Sequence, residues 1–152
     1  MAPIPLIYRL YFIYIDPALA LYGSILVLTN PALFLQSTTP PTLTEAATVS
    51  TTTGPLNPLT TLLLTQISAL YAFFAITEGL VLYQTKQLRV WRSVLLGVLV
   101  CDIGHGYAVL NADAAAWDLR GWRAVDAINY GILIFGAGLR GSFLLGVGLR
   151  AA

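Results

Sequence analysis

Asp16, Glu78, Asp102, His105, Asp126, Asn129 and Arg140 each stand inside, or at the edge of, a long apolar run. An ionisable group at the centre of a membrane helix costs about 2.5–3.5 kcal/mol on insertion scales. Such groups therefore face a bundle interior and mark proton pathways, ligand counter-ions or acid/base sites. Asp102 and His105 are three residues apart and share one helical face, so they read as an acid/base pair. Asp16 and Glu78 are the further carboxylates. A carboxyl in a low-dielectric site favours its neutral form and can donate a proton. A neighbour kept ionised by Arg or His⁺ can accept one or stabilise a cation. That chemistry suits double-bond isomerisation, cyclisation or epoxide opening, and it needs no cofactor. The catalytic candidates are thus Asp102, His105, Asp16 and Glu78. Asn129, Arg140, Asp126, Tyr107 and Tyr130 are the candidates for contacting a substrate.

At a rise of ~1.5 Å per residue, position along each apolar run gives depth. This sorts the polar groups into three layers: Glu78 with Arg140, then Asp16 with Asp102, then His105 with Asn129 and Asp126. Gly136 lies on the stripe between Asn129 and Arg140, where its missing side chain leaves room. Each group also has a structural reading. Glu78–Arg140 is the salt bridge that depth predicts and reads as helix-pairing glue. Asp126 and Asn129 can cap the start of the last helix. Asp16 before Pro17 can satisfy backbone at a kink. Cys101, the single cysteine, reads as buried and inert. A metal ion is not expected. Asp102-x-x-His105 plus Glu78 would need chance alignment across two helices, and the sequence has no second His.

The elements that must hold these groups follow from composition. Hydrophobic residues make up 57% of the 152 residues and charged ones 10%, and mean hydropathy is +0.77. Soluble domains carry roughly 25% charge, so the chain belongs in a bilayer. A net charge of +1 without a basic run excludes nucleic acid as a partner. Ile7–Leu28, Leu59–Tyr83, Trp91–Leu110 and Ala124–Leu149 each reach the ~20 residues needed to cross the hydrocarbon core. The expected fold is all-α: a polytopic membrane protein, a four-transmembrane-helix bundle forming a single domain over 1–152. No basic residue precedes the first apolar stretch and Asp16 interrupts it, so it reads as a retained helix, not a signal peptide.

The connections differ. Residues 31–58 are rich in Thr and Pro and read as an irregular loop, with partial order against the bundle as the alternative. Residues 84–90 form a tight basic hairpin. Residues 111–123 are amphipathic, with Trp117 and Trp122 suited to the membrane interface. The fourth span is glycine-rich. Ala137/Gly141, Gly138/Ser142 and Ser142/Gly146 place small residues four apart, as close helix contacts or a homodimer would use. Lys86, Arg89, Arg92 and Arg150 gather on the side of the termini and the hairpin, against Arg120 and Arg123 opposite. The positive-inside rule then puts both termini in the cytosol.

The segments TKQLRVWRSVLLGVLVCDIGHGYAVL, YFIYIDPALALYG and LRGSFLLGVGL resemble a family of small fungal four-helix membrane proteins of unknown function. The resemblance rests on Asp16-Pro17, Glu78, Arg89/Trp91/Arg92, Asp102-x-x-His105 and Arg140-x-x-Phe143-Leu144. It implies the fold and a fungal source, with some members in secondary-metabolite gene clusters. In architecture alone, the chain is similar to the emopamil-binding/sigma-2 receptor superfamily of the endoplasmic reticulum, and no residue is carried over from it. The expected function is an acid/base enzyme acting on a hydrophobic polyketide or terpenoid drawn from the bilayer among membrane lipid. The alternative is a sterol- or lipid-binding or scaffold protein without turnover.

Overall fold

The computed structural model describes residues 4–40, 43 and 56–149. Among them there is no strand; four helices are long and apolar enough to cross a membrane. These are α1 (Leu6–Thr29), α3 (Pro58–Gln84), α4 (Leu88–Ala112) and α5 (Ala124–Leu144). Only 11–22% of the most apolar window of each is buried inside the chain. The outer surfaces present residues such as Ile25, Phe73, Val100 and Ile128, and such a surface requires lipid as its solvent. The chain is thus an integral, multi-pass membrane protein. The Thr-rich residues 44–55 and Arg150 lie outside the described residues.

The connection after α1 is not wholly irregular. Asn30 accepts the Leu33 N–H at 3.0 Å and Pro31 takes the first helical turn, which starts the short helix α2 (Pro31–Thr38). Residues 111–123 form two 3₁₀ turns, Ala114–Trp117 and Leu119–Gly121. Their starts are set by Asp113 and Asp118, which accept the N–H groups of Ala115 and Arg120 at 2.9 and 3.0 Å. The last helix stops at Leu144, not Leu149. Gly146 has φ +84°, its N–H bonds to Phe143 O at 3.0 Å, and the Val147 N–H bonds to Ser142 O at 2.9 Å. This pair of bonds is a Schellman cap, for which glycine is the suited residue.

Close helix packing lies elsewhere than the glycines of the last span suggest. α1 packs most extensively on α3. Ser24 and Ser68 exchange bonds across that interface: each hydroxyl reaches the other's carbonyl, at 2.9 and 3.1 Å. A Cβ on Gly23 would lie 2.9 Å from the Tyr71 ring, and one on Gly79 would lie 3.3 Å from Pro17. By contrast, a Cβ on Gly138 or Gly141 would meet nothing within 4 Å. Those glycines leave an open face on α5.

The buried side chains divide the bundle into two halves. On the side of the α3–α4 hairpin, one cluster draws on all four spans: Tyr8, Tyr11 and Phe12, Leu82, Trp91 and Leu95, and Phe143. The Trp91 indole N–H bonds to Thr85 O at 2.9 Å and fixes the hairpin. On the opposite side there are two separate clusters. Val27, Phe34 and Leu64 join α1, α2 and α3, whereas Val109, Ala116 and Tyr130 join α4, α5 and the first 3₁₀ turn. α2 bridges them. Ser37 O accepts from the Asn129 amide at 2.5 Å and Thr39 O accepts from Arg123 at 2.8 Å. The polar groups of the mid-bundle therefore sit where a common core gives way to two diverging pairs.

Candidate functional site

Arg140, three-quarters of the way along α5, projects into the bundle with its side chain 4% exposed. Its Nη2 donates to Asp16 of α1, and its Nη1 donates to Asp102 of α4 at 2.6 Å. Nη2 also lies 3.7 Å from Glu78 Oε1 of α3, within ion-pair range and beyond hydrogen-bond range. One guanidinium thus joins all four spans through three carboxyls. A planar fork with several fixed donors can do this, whereas an ammonium would bind from a single point.

Two local features make room for the fork. Gly136 is one turn before Arg140; a Cβ there would lie 2.8 Å from Nη1 and 3.0 Å from the Tyr11 hydroxyl. The glycine is the seat of the guanidinium, as its place on the stripe predicts. In α1, residues Tyr11–Ile15 adopt a π-helical turn immediately before Asp16-Pro17. Pro17 lacks the N–H that would bond Ile13 O, and a wider turn just ahead of it accommodates the missing bond. Asp16 is therefore no backbone cap at a kink, because its carboxylate goes to Arg140.

The three layers expected from depth are thus corrected to one ionic cluster and a separate end. Glu78–Arg140 is the longest of the three ion pairs, and Asp16 and Asp102 make the close ones. A depth count from Cα positions omits the length of the Arg side chain, which brings adjacent layers together. Asp102 does not pair with His105. The imidazole is exposed on α4, with no hydrogen bond or ion pair among the described residues. The third layer also separates. Asp126 accepts Arg123 N–H at 2.8 Å and the Arg123 side chain at 2.7 and 2.8 Å, closing the N-terminus of α5. The same contact raises the Arg123 pKa through its hydrogen bond to the carboxylate. Asn129 ties α5 to α2. Tyr130 packs between Trp117 and Trp122, each ring 5.2 Å away, with its hydroxyl buried and unpartnered. Tyr107 is exposed on the outer surface. Cys101 is exposed, not buried.

What the sequence reading missed is a groove. Between α3 and α4 lies a recess of about 210 Å³ lined by Phe73, Phe74, Thr77, Glu78, Val94 and Gly97 with their neighbours Ser93 and Val98. Exposure falls from mouth to floor: Phe73, Ser93 and Gly97 are exposed, Phe74, Thr77, Val94 and Val98 half-buried, and Glu78 is 3% exposed. Glu78 Oε1 has no hydrogen-bond partner. The floor of an apolar recess on the lipid-facing surface is thus a carboxyl that the ionic cluster leaves under-bonded. Among the described residues, no three His, Cys, Asp or Glu side chains are placed to share a metal ion.

Four apolar spans around a buried cluster of one guanidinium and three carboxyls define the class: a helical membrane protein with an ionic centre inside the bundle. Residues 1–150 match the model of the family described as a domain of unknown function, DUF7704, and the chain belongs to that family. No curated protein and no solved structure matches it.

Proposed function

We propose that the chain is a membrane-embedded acid/base enzyme, an isomerase, cyclase or epoxide-opening enzyme, acting on a hydrophobic polyketide or terpenoid. The observation that carries this reading is the buried Glu78 carboxyl, under-bonded, at the floor of a groove that opens toward lipid. Glu78 takes the role that spacing alone assigns to Asp102 and His105. In an isomerisation, Glu78 gives its proton to one alkene carbon. The carboxylate so formed then removes a proton from the carbon adjacent to the cation, and the double bond has moved with no net change in protons. Arg140, 3.7 Å away, stabilises that carboxylate between the two steps. Asp16 and Asp102 position Arg140, and the Tyr8–Phe143 core excludes water from the hairpin side. The resemblance to fungal proteins of secondary-metabolite clusters supports the substrate class. The excess of Lys and Arg near the hairpin supports cytosolic termini, and the architectural similarity to the emopamil-binding/sigma-2 receptor superfamily supports the endoplasmic reticulum as the membrane.

The second reading is a sterol- or lipid-binding protein without turnover. It is favoured by the tight engagement of Arg140 with Asp16 and Asp102, which leaves Glu78 without a close bond to the guanidinium. Hydrophobic metabolites of a deletion strain, complemented by wild type or by Glu78→Gln, separate the two. The enzyme reading expects a precursor to accumulate in the deletion and in Glu78→Gln alike. A wild-type metabolite profile in a Glu78→Gln strain with normal protein levels would overturn it.

A further inference from the structure

The ionic cluster leaves its bonding unmatched: among the described residues, the Arg140 Nε–H and the Tyr11 hydroxyl have no partner, and Glu78 Oε1 has no donor. Arg140 commits Nη1 and Nη2 to Asp102 and Asp16, leaving Glu78 Oε1 buried, 3.7 Å from the guanidinium and without a hydrogen bond, with the Asp16 carboxyl beside the Glu78 side chain. A buried acceptor without a donor is costly, and any ligand that brings a donor relieves that cost. The groove above it holds about 210 Å³. Pockets that enclose a whole small ligand hold roughly 300–1,000 Å³, so this one takes the end of a molecule whose remainder lies among the acyl chains. Its walls are the phenyl rings of Phe73 and Phe74 and the valines Val94 and Val98, and these suit a hydrocarbon stem. At the mouth stands Gly97, where an added Cβ would meet nothing within 4 Å. A helix glycine that no neighbour requires is here a gap in the wall.

We infer that the groove receives the end of a membrane-soluble chain whose terminal hydroxyl or protonated amine donates a hydrogen bond to Glu78, with Gly97 as its threshold. The molecule enters sideways from the leaflet on the side of the α3–α4 hairpin. This rests on the proposed role of the groove as the way to the acid/base centre, and it names the substrate's defining group: one donor at the end of an apolar stem.

The test is photolabelling of the purified chain in lipid nanodiscs. The probes are long-chain molecules carrying a diazirine near a terminal hydroxyl, a terminal amine, a methyl ether or a plain methyl group. Adducts are mapped by mass spectrometry. The inference expects the alcohol or the amine to label residues 73–78 and 93–98 about 5-fold or more above the ether and alkane, the effect of one hydrogen bond. The more strongly labelling probe identifies the donor. In Glu78→Leu that preference disappears, and in Gly97→Phe, which fills open space, labelling of both segments is lost while thermal stability is kept. Equal labelling by all four probes, or undiminished labelling in Gly97→Phe, overturns the inference. The enzyme reading fails separately. Donor-selective labelling combined with unchanged metabolites in the Glu78→Gln strain upholds the binding site and removes the turnover. Equal labelling combined with a lost product does the reverse.

Discussion

Among single residues, Arg140 holds the four spans together. It is, among the described residues, the one cation in contact with three carboxyls, and each of those carboxyls comes from a different span. Replacing it by Met leaves buried carboxyls without a counter-charge, which costs about 3–5 kcal/mol when one partner of a buried pair is removed. Thermal unfolding in detergent is expected to show that loss. Arg140→Lys is expected to recover only part of it, because an ammonium cannot make both the Asp16 and the Asp102 bonds in the fork geometry. Equal stability of the Met variant and wild type would contradict the cluster. The participants were legible in the sequence: an ionisable residue inside an apolar run must face inward, and Asp16, Glu78, Asp102 and Arg140 all do. Their pairing was not legible, because rise per residue places Cα atoms and a guanidinium works well away from its own Cα. His105 shares a helical face with Asp102 but does not pair with it, for the complementary reason. Shared helical face with Asp102 does not decide which residue of the two points to a neighbour, and α4 is the least buried of the four spans.

At the scale of the element, two glycines of α5 make opposed predictions from similar sequence contexts. Gly136→Ala puts a methyl 2.8 Å from Arg140 Nη1 and 3.0 Å from the Tyr11 hydroxyl. Overpacking of this kind costs typically about 1–3 kcal/mol, and here it also displaces the guanidinium. Gly138→Ala meets nothing within 4 Å and is expected to unfold at the wild-type temperature or slightly above it, since Ala favours helix over Gly by about 1 kcal/mol. Comparison of the two melting temperatures checks the register of α5 directly. The lengths of α1, α3 and α4 were readable to within a few residues because hydropathy and helix length both answer to the bilayer. The end of α5 was not. The apolar run continues through Leu149, but Gly146 at positive φ stops the helix at Leu144, and a hydropathy count is blind to that. The π turn before Pro17 had a visible cause, the proline, but more than one way for the backbone to absorb it.

At the scale of the molecule, one core on the hairpin side binds all four spans, and the opposite side parts into two pairs bridged by α2. Without a hydrophobic drive between helices in lipid, such a bundle is held by packing and by interhelical polar contacts. The ionic cluster is therefore as much a joint of the fold as a site. The orientation proposed from the basic residues is tested with single cysteines introduced in a Cys101→Ala background. Cysteines at Lys86 and at Asp118 are expected to react with an impermeant reagent from opposite sides of the membrane, the first from the cytosol. Labelling of both from one side would contradict the count of spans.

The proposed function rests on Glu78, the most buried of the three carboxyls, being the one that reacts, because it lines the groove and lacks the close Arg140 bond that Asp16 and Asp102 have. A membrane-soluble carbodiimide, which adds to carboxyl groups in apolar surroundings, probes this directly in native membranes, with the adduct located by mass spectrometry. Modification is expected at Glu78 and absent in Glu78→Gln, with Asp16 and Asp102 protected by Arg140. Modification mainly at Asp16 or Asp102, with Glu78 unreacted, would contradict that role of Glu78.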